Sequence, residues 1–466
     1  MKKQFIVSVG IMHAETIEFE LNSAYTAEGC EKFYSGAMNV QLRNGKIFWE
    51  GKEFEELLLV PKTPNYRFDF VNRQVVKENK YLSCDEGTFW LKDVTIGVNF
   101  HWERKEKEKF SGALKFLIED GMIAAINIIG IEDYLTSVIS SEMSADASLE
   151  LLKAHAVISR SWLIAQIEKS REIVKSERKY QACTRTESEL IKWSDREDHT
   201  LFDVCADDHC QRYQGLTRES TKTVIRAVDS TWGEVLKYDG KICDARFSKS
   251  CGGVFEEFPT CWEPVDYPYL KKKRDSKTVS DFPDLTVESE AEKWIMSSPE
   301  SFCNTRDKEI LNQVLNNYDQ ETTDFYRWKV SYTQEELSAL IRKKSGEDYG
   351  DIIDLVPVAR GTSGRLYKLR IVGTKKTFTV GKELEIRRLL SESHLYSSAF
   401  VVKTDGVIKS SDGKTDVPAG FTLYGAGWGH GVGLCQIGAA VMGAKGYDYR
   451  EILLHYFSGA SIEKEY

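Results

Sequence analysis

The first 125 residues alternate. Phe5, Val7 and Val9, then Ile17, Phe19 and Leu21, put apolar side chains at every second position, the period of a half-buried strand. Gly45-Lys46-Ile47 reads as a turn entering another strand, and Phe68, Phe70, Phe89 and Leu91 continue the pattern. Asp120-Gly121 stands between two apolar runs, a hairpin signal. At Gly130 the period changes. Ile131, Tyr134, Leu135, Val138 and Ile139 fall on one face of a helix. A second helix is predicted to be capped by Asp146 or Ser148, to carry Glu150 in its first turn, and to run to about Ile167. Residues 170–215 read as helix-like and then loop, and strands are expected near 222–256. Charged amphipathic helices such as QEELSALIRKK occupy 275–350, and β patterning returns over 351–405. The Gly-rich end leads into a helix from Tyr449 to Phe457, with Asp448 and Glu451 at capping-box spacing. The fold class is α+β, a helical core packed with antiparallel β elements and one added helical insertion. Its parts are 1–125 (β-rich), 126–270 (helical core), 271–350 (insertion) and 351–466 (β and Gly-rich).

Composition narrows the field. A chain of 466 residues, 41% hydrophobic, can bury one large core or several smaller ones. Mean hydropathy is negative, and no apolar run approaches the ~20 residues of a membrane span. Net charge is −9 with both signs mixed, whereas a general nucleic-acid binder needs a basic face. The opening MKKQFIVSVGIM is short, β-branched and interrupted by Ser8 and Gly10, so it reads as strand and not as an export signal. Ten cysteines, mostly scattered singly, suggest reduced thiols and not a disulfide scaffold. Cys251 and Cys261 are a pair that an oxidising compartment would allow to bridge. By sequence the chain reads as cytoplasmic.

One carboxylate interrupts this pattern. The stripe from Ile131 through Leu135 and Val138 continues to Glu142, at the helix's C-terminal end. Burial and the negative helix end both disfavour a charged carboxylate, and a Glu that keeps its proton near neutrality suits general acid catalysis. On the second helix Arg160 falls within the stripe of Leu149, Leu152, Ala156, Leu163 and Ile167, with Lys153 and His155 on other faces. A buried Arg needs a partner. Glu142 is the nearest candidate in sequence, and an anionic or saccharide ligand is another. A structural Glu142–Arg160 ion pair is the competing reading.

Two further clusters stand out. Gly425, Gly427, Gly429, Gly431 and Gly433 recur with period two around Trp428 and His430. In a strand this leaves one face bare, either for a ligand or for tight packing. Trp428 would stack on a sugar ring, and His430 and Gln436 would bond hydroxyls. Dinucleotide and phosphate-loop patterns both fail here. In HTLFDVCADDHC, His199, Cys205, His209 and Cys210 supply three or four tetrahedral zinc ligands. A metal-free loop and a Cys205–Cys210 disulfide are the alternatives. Ser248 and Ser250 in FSKSCGG are candidate substrate contacts, and no Gly-x-Ser-x-Gly elbow supports a serine nucleophile. His101-Trp102-Glu103 offers a second acid, a pairing that is more often structural.

The run SSEM followed by LLKAHAVISRSW resembles the signature of the stage II sporulation protein D and amidase enhancer family, with Ser144 and His155 departing from the usual Pro and Gln. FSKSCGG (247–253), PYL (268–270), SGR (363–365) and GAGWGHGVGLCQIGAAVMGAKGYDYREILLHYFSGASI (425–462) follow in the family's order. The added material lies at about 56–95 and 275–330. The resemblance implies a lytic transglycosylase of peptidoglycan, with Glu142 as the catalytic acid/base. It would act on the bond between N-acetylmuramic acid and N-acetylglucosamine and leave 1,6-anhydro products. Lys153, His155 and Arg160 would line or support the site, and a zinc ion at the His/Cys cluster would pin a loop. The substrates would be glycan strands, already stripped of stem peptides, or muropeptide fragments. Two alternatives remain: a non-catalytic, glycan-binding enhancer whose partner is a cell-wall amidase, and a zinc-dependent wall hydrolase centred on His199 and Cys205. Family resemblance places the protein in the cell envelope.

Overall fold

The computed structural model describes residues 2–28, 30–63, 66–77, 85–97, 103–144, 147–176, 182–193, 199–207, 210–217, 221–278, 282–314 and 323–466. His101, Trp102, Asp146 and His209 lie outside the described residues. The chain forms two compact units. The first comprises Met1–Ser170, Glu197–Val235 and Glu463–Tyr466, the second Arg171–Arg196 and Leu236–Ile462. These units cut across the four-part division read from the sequence.

The first unit is built on a 13-stranded sheet. Its opening strand, Lys2–Ala14, pairs antiparallel with Met122–Gly130, so the N-terminal apolar run is a sheet strand. The alternating Val7, Val9, Ile17, Phe19 and Leu21 point into the core. Ala113–Glu119 and Met122–Gly130 form the expected hairpin. Its two turn residues, Asp120 and Gly121, have φ of 49° and 77°, the left-handed geometry that matches strand twist in a two-residue loop.

Helix α1 (Ile131–Glu142) follows directly from that strand. Its N-cap, Gly130, has no side chain to offer. Gln4 substitutes, its Oε1 accepting the Glu132 N–H at 2.7 Å. The apolar stripe Ile131, Tyr134, Leu135, Val138 and Ile139 is buried as expected. Helix α2 (Leu149–Ser176) starts where Ser148 Oγ accepts the Leu151 N–H at 3.3 Å. It continues past Ile167, where the apolar stripe ends. Helix α3 (Lys222–Ser230) occupies sequence read as strand. Val224, Ala227 and Val228 are its buried face, and Thr221 caps it. A single helical turn of apolar residues mimics alternation when read over so short a window.

The second unit holds a five-stranded sheet and a three-stranded one. The expected helix QEELSALIRKK spans Gln334–Ser345, with a capping box from Thr333 and Glu336 and a left-handed Gly346 at its end. The strand before it, Arg327–Thr333, pairs with Gly420–Ala426, which also pairs with Phe400–Asp405. The stretch read as a purely helical insertion therefore donates a strand to the C-terminal sheet. Leu337, Ile341, Ile352, Leu369, Ile371, Phe400 and Leu423 share this unit's core. Each such side chain contributes about 1.5–3 kcal/mol on burial.

The Gly-rich segment is not the strand its period suggested. The strand ends at Ala426, and Gly427, Gly429, Gly431 and Gly433 have φ of 75°, 87°, 75° and 73°. Alternate left-handed residues coil the chain where a strand would extend it. Leu434–Cys435 then pairs in parallel with Phe247–Ser248, and a helix not expected from the sequence runs over Gln436–Ala444. The last helix, Tyr449–Tyr456, carries the expected Asp448–Glu451 capping box.

Candidate functional site

Glu142 is the last residue of α1 and is half-buried, flanked by the buried Ser141 and Met143. Its Oε1 accepts the Arg212 N–H at 3.1 Å. The segment that supplies this donor is tied to α1 twice more. Tyr134 Oη donates to Gln211 Oε1 at 3.3 Å, and the Tyr134 and Tyr213 rings stack with centroids 5.0 Å apart. Burial pushes both phenols well above the ordinary tyrosine range, so both remain donors; Tyr213 Oη donates to Asn127 Oδ1 at 2.6 Å.

A His/Cys cluster leads into this segment. The ligand atoms of His199, Cys205 and Cys210 all lie within 4.8 Å of one another. Cys210 immediately precedes Gln211 and Arg212. One imidazole and two thiols form a soft donor set that suits zinc, so the residues fit the ion that the resemblance implies. When bound, it would fix the loop whose next residues grip α1. Cys205 and Cys210 are free thiols, not a disulfide. The same loop walls a cavity of about 410 Å³, lined also by Gly10, Val94, Glu108 and Arg212.

Arg160 does not reach Glu142. Its guanidinium is fully buried and forms a two-pronged pair with Glu132, Nε to Oε1 at 2.8 Å and Nη2 to Oε2 at 2.6 Å. Nη1 donates to the Glu234 carbonyl at 2.9 Å. Glu132 also accepts the Gly233 N–H at 3.2 Å and the Tyr466 hydroxyl. The competing reading of a Glu142–Arg160 pair is therefore not met: the partner is Glu132, which sits in the first turn of α1 on its buried side. Lys153 binds Glu150 one turn back at 2.7 Å. His155 is buried, with Nδ1 3.2 Å from Ser159 Oγ.

The remaining candidates, Ser248, Ser250, Trp428, His430 and Gln436, all belong to the second unit. There the FSKSCGG, SGR and Gly-rich motifs interlock around one side chain, Arg365, which is fully buried. It donates to the carbonyls of Gly429 (3.0 Å), Cys251 (3.1 Å) and Ser250 (3.3 Å) and to Ser363 Oγ (2.9 Å). A Cβ at Gly431 would stand 2.4 Å from the Arg365 guanidinium carbon, and one at Gly427 would stand 2.9 Å from its Nη2. The bare face left by these glycines is filled by an arginine. Ser363 Oγ in turn donates to Glu256 Oε2 at 2.6 Å, and Glu256 also takes Thr362 and Ser363 N–H groups.

Ser248 Oγ accepts the Gly431 N–H at 3.2 Å, and Ser250 pairs through its backbone with Trp428. The Trp428 ring packs against Tyr396 and Phe325, with centroids 4.4 and 4.8 Å apart. His430 Nδ1 accepts the Val432 N–H at 3.0 Å. Burial, then Arg365 and Arg387, push His430 down to about 3, so its imidazole is neutral. Gln436 is buried at the start of its helix. Cys261 reaches the His430 carbonyl at 3.7 Å, whereas Cys251 Sγ lies 3.5 Å from that of Cys303. The bridge that an oxidising compartment would allow between Cys251 and Cys261 is not formed; both are free thiols.

Sequence reasoning missed Glu132, Glu256 and Arg365 as buried charges. Glu132 lay beside the stripe that drew attention to Glu142, and the arginine was noticed only as part of the SGR motif.

Comparison with known proteins bears on both units. Residues 119–238 match the family model described as Stage II sporulation protein, and residues 256–433 match a domain of unknown function (DUF8618). An uncharacterized protein of Brachyspira hyodysenteriae is 25% identical over 76% of this chain and 72% of its own length. The Amidase enhancer of Bacillus subtilis is 27% identical over 70% of this chain, which spans only 40% of that protein. Stage II sporulation protein D of Bacillus amyloliquefaciens is 22% identical over 73% of this chain and 76% of its own length.

Proposed function

The chain belongs to the stage II sporulation protein D and amidase enhancer family, and we propose that it is a peptidoglycan lytic transglycosylase with Glu142 as its single acid/base. The observation that carries this reading is the placement of Glu142. It ends α1 half-exposed, and its Oε1 accepts a backbone N–H from a segment that follows the His/Cys cluster. A carboxyl so placed is oriented yet can still meet a ligand. By contrast, the carboxylates of Glu132 and Glu256 are buried in protein contacts.

In this reaction the Glu142 carboxyl protonates the glycosidic oxygen between N-acetylmuramic acid and N-acetylglucosamine. The resulting carboxylate takes the proton of the sugar's C6 hydroxyl as that oxygen attacks C1. The products are a shortened strand with a free 4-hydroxyl and a 1,6-anhydro end, and no water is consumed. A hydrolytic glycosidase needs a second carboxylate for water; the internal nucleophile removes that need. Zinc on His199, Cys205 and Cys210 would serve position only, fixing the loop ahead of Arg212.

The second reading is a glycan-binding enhancer of a cell-wall amidase, and the similarity to the Amidase enhancer supports it. Incubation with denuded glycan strands, with products analysed by mass, decides. Glu142→Gln retains an oxygen for the Arg212 N–H but cannot cycle a proton. It is expected to cut anhydro-product formation at least 100-fold, in line with the 10²–10⁴ range of general acid/base catalysis. Anhydro products undiminished in Glu142→Gln defeat the assignment. Glycan retention without products supports the enhancer. Water-incorporated products abolished by a chelator support a zinc hydrolase.

A further inference from the structure

Three cysteines and one aspartate converge in the core of the second unit. Cys251 follows FSKS, Asp275 follows the bridge residue Arg274, Cys303 sits in the turn after Ser301, and Cys435 precedes the helix Gln436–Ala444. Their ligand atoms all lie within 4.8 Å of one another. None is more than 2% exposed.

We propose that Cys251, Asp275, Cys303 and Cys435 form a buried structural zinc site, independent of the chemistry assigned to Glu142. The Cys251 and Cys303 sulfurs are 3.5 Å apart. A disulfide would need about 2.05 Å. Two sulfurs on a tetrahedral zinc, each at about 2.3 Å, stand about 3.8 Å apart. The surroundings treat the sulfurs as acceptors. Gly253 N–H points at Cys251 Sγ (3.4 Å) and Cys251 N–H at Cys435 Sγ (3.3 Å), while Ser301 Oγ lies 3.3 Å from Cys303 Sγ.

Asp275 is oriented as an outer shell orients a ligand. Tyr456 Oη donates to Oδ1 at 3.0 Å, the Cys303 N–H donates to Oδ2 at 3.0 Å, and His455 Nε2 is 3.5 Å from Oδ1. Space is kept beside the carboxylate. A Cβ at Gly438 would stand 2.7 Å from Asp275 Oδ2. A fully buried carboxylate among thiols is costly without a cation, and thiolates with one carboxylate select zinc over hard cations. The four ligands come from segments as far apart as Cys251 and Cys435, so the ion would staple the unit.

The test uses the full chain, reduced and freed of metal, with cobalt as the probe. In the Cys205→Ser/Cys210→Ser background, which removes the other thiol pair, one cobalt per chain is expected, with the charge-transfer intensity of three thiolates. Adding Cys303→Ser should lower that intensity to the two-thiolate level. Asp275→Asn should keep it but weaken binding at least tenfold. A folded background variant that takes up no cobalt overturns the site, as does a Cys251–Cys303 disulfide found by mass in the protein as isolated, before any reductant is added. Should the background variant fail to fold, zinc content decides. Cys303→Ser must carry one zinc fewer per chain than wild type, and Cys435→Ser likewise; equal content overturns the proposal.

Discussion

Among the described residues two arginines are wholly buried, one in each unit, and they are kept in opposite ways. Arg160 meets a carboxylate face to face: Glu132 takes two of its nitrogens. Arg365 meets only carbonyls and one hydroxyl, and its nearest carboxylate, Glu256, is reached through Ser363. The first arrangement neutralises charge locally and relies on two helices in register. The second surrounds a cation with dipoles and needs a backbone free to turn its carbonyls inward, which left-handed glycines allow. A conspicuous buried arginine in a family motif is thus not by itself a ligand-binding residue. Both of these have their donors engaged by their own chain.

The largest effect should come from breaking the direct pair. Arg160→Met leaves Glu132 charged and buried, and is expected to destabilise the first unit by about 3–5 kcal/mol, read from urea unfolding of tryptophan fluorescence. Adding Glu132→Leu should recover only part. The Gly233 N–H and the Tyr466 hydroxyl then lose their acceptor, at about 1–3 kcal/mol each. Full recovery would mean that those two contacts contribute nothing.

Gly431→Ala tests the arginine cradle. Its Cβ strikes Arg365 and its φ is 75°, so a loss of about 2–4 kcal/mol is expected in the same assay. Gly240→Ala is the control. Its φ is 73° with nothing within 4 Å, and about 1–2 kcal/mol of backbone strain alone should appear. Equal losses at both positions would show that Arg365 does not depend on that space. Ser363→Ala cuts the relay to Glu256, at about 1–3 kcal/mol. A neutral result would show that carbonyls suffice.

A further effect is one of pH, spread over several units. Burial and the cations Arg365 and Arg387 hold His430 down to about 3 in the folded chain, against about 6.5 unfolded. Below pH 6.5 the unfolded chain therefore binds the extra proton. Stability contributed by the neutral imidazole is fully present above 6.5 and is lost as pH falls toward 3. The urea midpoint of the second unit should drop over that window, and His430→Gln should flatten the slope. An unchanged slope would place the titration elsewhere.

Much of the fold was legible because it is set locally. Asp120-Gly121 fixes a hairpin through the φ its turn requires, and Asp448 with Glu451 caps a helix within four residues. The α1 stripe was legible for the same reason. Glu142 was found by extending that stripe, and its helical position holds, although it is less enclosed than the stripe implied. What failed was whatever depends on distant chain. Periodicity gives a helix its buried face but not its neighbour, so Glu142 and a ligand were the candidate partners for Arg160 when Glu132 lies opposite. The glycine period of two matched a strand, whereas the packing of Arg365 against Gly427 and Gly431 depends on residues far away in sequence. Cys251, Asp275, Cys303 and Cys435 share no spacing rule, since three-dimensional closure brings them together.

The first unit is completed by its last four residues. Glu465 N–H bonds the Gly233 carbonyl at 2.8 Å, Tyr466 packs edge-on against Phe5 with centroids 5.1 Å apart, and its hydroxyl reaches Glu132. On the ribosome, residues 1–235 emerge long before that tail. At about 5–20 residues per second, roughly 10–50 s pass while the second unit is made. Throughout this interval the Glu132–Arg160 pair lacks the hydrogen bond from Tyr466. Maturation of this half of the molecule thereby waits on a segment made more than two hundred residues later, and its vulnerability to proteases and aggregation is concentrated in that wait.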